Sequence, residues 1–116
     1  MKRLNAIFYR SESGKEPVRE WLKELGKPDS TVIGYDIKTV EYGWPIGMPV
    51  CRPVGRGLYE VRSHLQNNRI ARVLFCVVDD YMVLLHGFIK KTQKTPLQDI
   101  DLAYERKKNL ETPNDQ

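Results

Sequence analysis

The sequence lacks the features that mark membrane-spanning, exported and disulfide-stabilised proteins. No uninterrupted apolar run approaches the roughly 18 residues that a membrane helix needs, and no secretory leader opens the chain. Cys51 and Cys76 are the only cysteines, too few for a disulfide framework or a zinc site. These absences predict a cytoplasmic protein with reduced thiols and with no membrane partner, metal or cofactor.

Internal repeats, low-complexity segments and interdomain linkers are also absent. A chain of 116 residues is long enough for one hydrophobic core but not for two. We therefore expect a single domain over residues 1–116, with residues 110–116 as a frayed tail.

Positive charge is distributed unevenly along the chain. Residues 1–51 carry a net charge of +1, residues 52–94 a net of +5 and residues 95–116 a net of −2, which together give the +4 of the whole chain. Five of the eight cations in the middle segment are arginines, whose planar guanidinium groups match phosphate. A polyanion is thus the expected partner, although a scattered solvated surface would give the same composition.

Three lysines follow directly on an apolar stretch in the segment LLHGFIKKTQKTP. Lys90, Lys91 and Lys94 repel one another there, and this repulsion is relieved if an anion lies between them. We expect that anion to be the phosphate of a polyanionic partner. The alternative is that Lys90 and Lys91 only solubilise the exit of an edge strand.

The hydrophobic pattern predicts three helices. The first follows a capping-box pattern at Ser13 and Glu16 and ends at Gly26. The second starts near Asp29 and stops at YGWPIGMP, and the third starts at TPLQ with Thr95 as its N-cap. The apolar positions at helical spacing are Val18, Trp21, Leu22 and Leu25, then Ile33, Ile37 and Val40, then Ile100, Ala103 and Tyr104.

Four further runs predict β-strands. LNAIFYR lies near the N-terminus, whereas GLYEVRSHL, RIARVLFCVV and MVLLHGFI follow one another late in the chain. The late runs are parted by QNN and DDY, which are short enough for hairpins, so they predict a three-stranded antiparallel meander. The predicted order is β-α-α-β-β-β-α. This is an α+β fold with two N-terminal helices packed on one face of a small antiparallel sheet, followed by a C-terminal helix.

This order, together with the motifs LYEVR, RIARVLFCV and LLHGFIKKTQKTP with Ala103 seven residues after its proline, resembles the RelE/ParE superfamily of bacterial toxins. It is similar in particular to the phage-derived, host-inhibition-of-growth (HigB-like) branch. The resemblance covers Leu4 to Lys108. It implies a RelE-like fold and ribosome-dependent, metal-independent cleavage of mRNA by an endoribonuclease. It also implies neutralisation by a co-expressed antitoxin, usually a helix-turn-helix (HigA-like) protein.

The resemblance also implies which cations act on the phosphate. Arg62 and Arg72 match the arginines on two successive strands of the family, and Lys90 and Lys91 match the basic pair that closes the last strand. Cleavage by attack of the ribose 2′-OH on phosphorus needs such cations together with a base and an acid. Arg72 has an alternative as a cross-strand partner of Glu60.

The general acid and base stay open at this point. Strand alternation places Glu60 and His64 on the same face as Arg62, so both are candidates, although Glu60 could instead orient an arginine. The chain departs from RelE-type enzymes because no tyrosine follows the basic pair and Glu60 stands where they have a lysine. His86 is expected to be a satisfied core imidazole. The further cations expected to bind RNA phosphate are Arg56, Arg69 and Lys94.

Two other functions remain open beside the nuclease. The same fold supports a ParE-like inhibitor of DNA gyrase that cuts no nucleic acid. A non-catalytic RNA-binding module is disfavoured because exposed aromatic residues interleaved with cations are scarce. The basic residues on the late strands favour the mRNA nuclease.

Overall fold

The computed structural model describes residues 1–90 and 94–111, in which three helices cover the two faces of a five-stranded sheet. This confirms the predicted α+β class. No helix in the described part is long and apolar enough to cross a bilayer. The elements are β1 (Asn5–Phe8), α1 (Pro17–Leu25), α2 (Asp29–Gly43), β2 (Cys51–Gly55), β3 (Leu58–His64), a 3-10 turn (Gln66–Asn68), β4 (Ile70–Val78), β5 (Tyr81–Lys90) and α3 (Leu97–Glu111).

The strands lie in the order β1-β5-β4-β3-β2. β3, β4 and β5 form the predicted antiparallel meander. β1, in contrast, pairs in parallel with β5, from Asn5 opposite Tyr81 to Phe8 opposite Leu84. The prediction of a wholly antiparallel sheet is therefore wrong at this edge. Most of the chain separates β1 from β5, so no hairpin fixes their relative direction.

The prediction lacked β2, which forms the other edge of the sheet. It pairs antiparallel with β3, with an irregular register between Pro53 and Gly55. Glycine and proline make this part of the sequence resemble a loop. An edge strand tolerates proline because the missing N–H can fall on the side without a partner strand.

Helices α1 and α2 pack on one face of the sheet, as predicted. Ile33 and Val40 of α2 are fully buried there, and the α1 residue Trp21 lies across Gly87 of β5. A Cβ atom at Gly87 would stand 2.4 Å from two Trp21 ring carbons, so only glycine fits beneath the indole. The predicted capping box is wrong, because α1 begins at Pro17 and the Ser13 hydroxyl lies 3.0 Å from that of Ser11.

Helix α3 packs on the opposite face through Ala103, which is fully buried. Thr95 is not its N-cap: the Ile100 N–H donates to the Pro96 carbonyl at 3.2 Å, while the Thr95 hydroxyl turns to the sheet. The helix extends through Glu111, within the predicted tail, and residues 112–116 lie outside the described part. The apolar residues that surround Ala103 are Leu58, Leu74, Cys76, Leu85 and Phe88.

Candidate active site

The face of the sheet beneath α3 carries two rows of side chains that run across the strands. In one row Arg62 of β3 lies directly opposite Arg72 of β4, and Phe88 of β5 follows. The neighbouring row contains Arg52, Glu60, Leu74 and His86. Because side chains alternate along a strand, the β3 and β4 members of both rows point to the same face. The predicted face of Arg62 is thus a surface on which charged groups from three strands meet.

Glu60 lies at the centre of this charged group and is completely buried. Its Oε2 accepts a hydrogen bond from Arg52 Nε at 2.8 Å and lies 4.0 Å from Arg62 Nε. Its Oε1 accepts a hydrogen bond from the Thr95 hydroxyl. Both oxygens of the carboxylate are therefore held in place. We call Arg52, Arg62, Arg72 and Glu60 the arginine cluster.

Arg72 is the largest fully buried side chain in the described part of the chain, with 0% of its surface exposed. Burial lowers the pKa of its guanidinium group, the negative charge of Glu60 raises it, the positive charges of Arg62 and Arg52 lower it, and the negative charge of Asp99 raises it. Arginine nevertheless keeps its proton in proteins. The arginine cluster thus holds three positive charges around one shared carboxylate, with Glu60 and Arg72 fully buried.

Solvent reaches the arginine cluster at its rim. The Arg52 side chain is 31% exposed, compared with 7% for Arg62. His64 and Lys90 stand on either side of Ile70, one row beyond Arg62 and Arg72, and His64 is exposed while Lys90 is half-buried. The structure therefore brings the candidates Arg62, Arg72, Glu60, His64 and Lys90 to one face of the sheet.

Lys91 lies outside the described residues, and three further predicted cations stand apart from the arginine cluster or on the surface. Arg56 lies in the turn before β3 and donates to Asp101 of α3 at 2.7 Å. Arg69 donates to both carboxylate oxygens of Asp29, at 2.9 and 3.2 Å, and so links the turn before β4 to the start of α2. Lys94 is exposed close to the start of α3. The structure thus places Arg56 and Arg69 in ion pairs with helices.

A histidine–aspartate pair lies beside the arginine cluster. His86 Nε2 is 2.7 Å from Asp99 Oδ1, and the imidazole stacks on Phe88 with ring centres 5.3 Å apart. Burial lowers the pKa of His86 and Arg106 lowers it further, whereas the hydrogen bond and the charge of Asp99 raise it. The second Asp99 oxygen, Oδ2, is buried without a hydrogen bond in the described part of the chain. An ionised Asp99 can only accept in this pair, so its Oδ1 takes the hydrogen bond from an N–H at His86 Nε2.

Sequence reasoning missed three members of this surface. It counted Arg52 among the basic residues but gave it no role, because β2 was not predicted. It took Thr95 as a helix cap and did not consider Asp99, whose contact with His86 depends on how α3 packs on the sheet. In the sequence these residues can be recognised only as polar residues. Nothing local in the sequence shows that the fold turns them inward.

The site can bind an anion and polarise it. Buried guanidinium groups interact strongly with a phosphate because little water screens them. Groups of three or more histidine, cysteine, aspartate or glutamate side chains that are arranged to hold a metal ion do not occur within residues 1–90 and 94–111.

The family model described as "Phage derived protein Gp49-like (DUF891)" matches residues 20–108 of the chain. The matched region begins within α1 and ends near the end of α3, so it contains every element of the arginine cluster. A comparison with curated proteins gives no significant match.

Proposed function

The chain belongs to the Gp49-like family, a family of RelE/HigB-like toxins, and we propose that it is the toxin of a type II toxin–antitoxin system. The toxin acts in the cytoplasm, where it cleaves mRNA on the ribosome and so inhibits translation. Its partner is a co-expressed antitoxin of the helix-turn-helix, HigA-like type. Membership of this family supports the assignment of the protein as a toxin. The arginine cluster is the observation that supports RNA as its target.

The charges of the arginine cluster favour a phosphate ligand. Arg52, Arg62 and Arg72 come from three strands and lie together around Glu60, and the positive charges of Arg62 and Arg52 lower the pKa of Arg72. A bound phosphate would add negative charge beside these three cations. Lys90 lies on the same face and extends the positive surface along the path of an RNA backbone.

These cations differ in their exposure to solvent, and their proposed roles differ accordingly. Arg52 and Lys90 are within reach of solvent, so they contact the phosphates of the incoming RNA. Arg72 is buried and acts through its charge, by stabilising the negative charge that develops on the phosphate during cleavage. Glu60 positions the arginines, because both of its oxygens are already occupied.

In the proposed reaction the ribose 2′-oxygen attacks the adjacent phosphorus, and the bond from phosphorus to the 5′-oxygen breaks. The proton of the 2′-OH passes to a base, and the departing 5′-oxygen takes a proton from an acid. The products are a 2′,3′-cyclic phosphate and a 5′-OH end. We assign one of these proton transfers to His64, which is exposed on the same face as Arg62.

The proposal is tested by inducing the protein in a bacterium without its antitoxin and mapping new 5′ ends on cellular RNA. We expect cleavage within translated codons, which disappears when initiation is blocked. Growth arrest with intact mRNA would contradict the nuclease. Arrest accompanied by DNA damage would point instead to inhibition of gyrase.

A matched pair of lysine variants tests the location of the site. Lys90→Met removes a half-buried cation from the rim of the arginine cluster, and we expect mRNA cleavage to fall by roughly tenfold or more. Lys38→Met makes the same change at an exposed position on α2 and should cleave like the parent. Equal cleavage by both variants would remove Lys90 from the site. Melting curves check that both proteins remain folded.

A further inference from the structure

A small pocket opens at the edge of the sheet, next to two residues of the candidate active site. It has a volume of about 290 Å³, at the lower limit of small-molecule sites, and suits a ligand the size of one nucleotide. It lies where the pairing of β2 with β3 ends, at the hydrogen bond from the Arg62 N–H to the Val50 carbonyl (2.9 Å). The pocket is lined by Val32, Asp36, Pro49, Val50, Arg62 and His64.

Three of the six residues that line the pocket are apolar, and Asp36 is the one acidic residue among them. Val32 and Asp36 lie four residues apart on α2 and therefore on the same side of the helix. Pro49 and Val50 also line the pocket, and the hydrogen bond from the Arg62 N–H holds the Val50 carbonyl to β3.

Asp36 is the feature that selects the ligand. Its carboxylate is half-buried and has no hydrogen bond or ion pair in the described part of the chain. A carboxylate there repels phosphate and accepts hydrogen bonds from N–H groups. The nearby Arg62 disfavours a cationic guest, so the pocket suits a neutral ligand that is rich in N–H donors.

We propose that this pocket binds a guanine base of the RNA whose phosphate lies at the arginine cluster. Guanine presents two adjacent N–H donors on its Watson–Crick edge, which match the two oxygens of Asp36. Adenine and cytosine present one amino donor beside an acceptor, and uracil presents one N–H between two acceptors. This inference rests on the proposed RNA-binding role of the arginine cluster and adds a base preference to it.

Binding of single nucleotides tests the inference without the ribosome. The four nucleoside 5′-monophosphates and inorganic phosphate are titrated into the labelled protein and followed by NMR. We expect GMP to bind most tightly and to shift the backbone signals of Val32, Asp36 and Val50. Phosphate alone should leave these three signals in place. Equal affinity for GMP and UMP would overturn the proposal.

Asp36→Asn identifies the contact. The amide keeps the size of the side chain but replaces one acceptor with a donor, so the affinity for GMP should fall by roughly tenfold. Asp80→Asn makes the same change in the exposed turn between β4 and β5 and should bind GMP like the parent. Unchanged GMP binding by Asp36→Asn would overturn the proposal, as would binding of argininamide in place of GMP.

Cleavage maps separate this inference from the proposed function. Selective GMP binding by a protein that leaves mRNA intact would reject the nuclease and support the base pocket. Cleavage of mRNA by a protein that binds the four nucleotides equally would reject the pocket alone. If both proposals hold, Asp36→Asn also lowers the share of cuts beside guanine.

Discussion

The two faces of the sheet are built from the same strands, but only the face beneath α3 buries several charged side chains of those strands beside its apolar ones. Beneath α1 and α2 the buried residues are apolar, such as Val61, Val73 and Phe75. Beneath α3 the same strands bury Glu60 and Arg72 among apolar neighbours. Strand alternation produces both sets, so the difference lies in which residues occupy alternate positions.

The charged face is not the more stable way to cover a sheet. Removing charges from water costs several kcal/mol per ion, and apolar residues of similar volume often stabilise a core more than a buried ion pair does. The face beneath α1 and α2 is covered by apolar packing, whereas the face beneath α3 combines an apolar cluster with the buried charges of the arginine cluster. Departures of this kind are expected where a protein needs a reactive surface.

The largest effect is expected on removing the shared carboxylate. Glu60→Gln leaves the buried arginines without their common partner, and we expect the free energy of unfolding to fall by about 3–5 kcal/mol. Urea denaturation measures this free energy of unfolding. The control is Glu105→Gln, in an exposed pair with Lys108, where the loss should stay below about 1 kcal/mol. A similar small loss for Glu60→Gln would show that the arginines do not depend on this carboxylate.

A substitution on the face beneath α1 and α2 should lower the stability of the protein without changing its cleavage of mRNA. Gly87→Ala brings a methyl group against the Trp21 ring, and we expect a loss of about 1–3 kcal/mol. The folded fraction should still cleave mRNA at the parent's rate, since Trp21 lies on the other side of the sheet from the arginine cluster. Gly34→Ala on α2 meets no atom within 4 Å and should stabilise the protein by about 0.4–1 kcal/mol. If Gly87→Ala loses more cleavage activity than its unfolded fraction explains, the separation of the two faces is contradicted.

His86 makes the charged face sensitive to pH. Its folded pKa is lowered, chiefly by burial, so below the unfolded value of about 6.5 the unfolded chain binds a proton that the folded chain does not. Stability is therefore complete above about pH 6.5 and falls on acidification, by at most about 1.4 kcal/mol per pH unit, until the folded pKa is reached.

Two histidine variants measure this contribution. His86→Gln should flatten the pH dependence of the unfolding free energy below about pH 6.5. His64→Gln changes an exposed side chain and should keep the parent's slope. A parent slope that survives in His86→Gln would assign the effect to other groups.

The sequence predicts those parts of the candidate active site that depend on turn length and on the alternation of side chains along a strand. The three-residue turn between β3 and β4 sets their register, and alternation then places Arg62 opposite Arg72. Arg52 could not be placed because its strand contains proline and pairs irregularly. The contact of Thr95 with Glu60 joins residues 35 positions apart, and no local pattern predicts how α3 docks on the sheet.

The same limit applies to the cations that the structure separates from the site. Local sequence gives the charge of Arg56 and Arg69, but not their partners. Asp101 and Asp29 lie 45 and 40 positions away in the chain. Charge counted along the sequence therefore overestimates the number of residues available to RNA.

Arg56→Ala should have the smallest effect. Its ion pair with Asp101 is half exposed to solvent, with 47% and 52% of the two side chains accessible, so its loss should cost less than about 1 kcal/mol. Arg56 also covers the Tyr104 ring at 5.1 Å, which ties it to α3 at the end of β3 remote from His64. We therefore expect mRNA cleavage close to that of the parent, measured beside Lys90→Met in the same assay. If Arg56→Ala lowers mRNA cleavage as much as Lys90→Met does, the RNA-binding surface extends along the whole of β3. The cations at the rim of the arginine cluster would then not differ in role from those farther away.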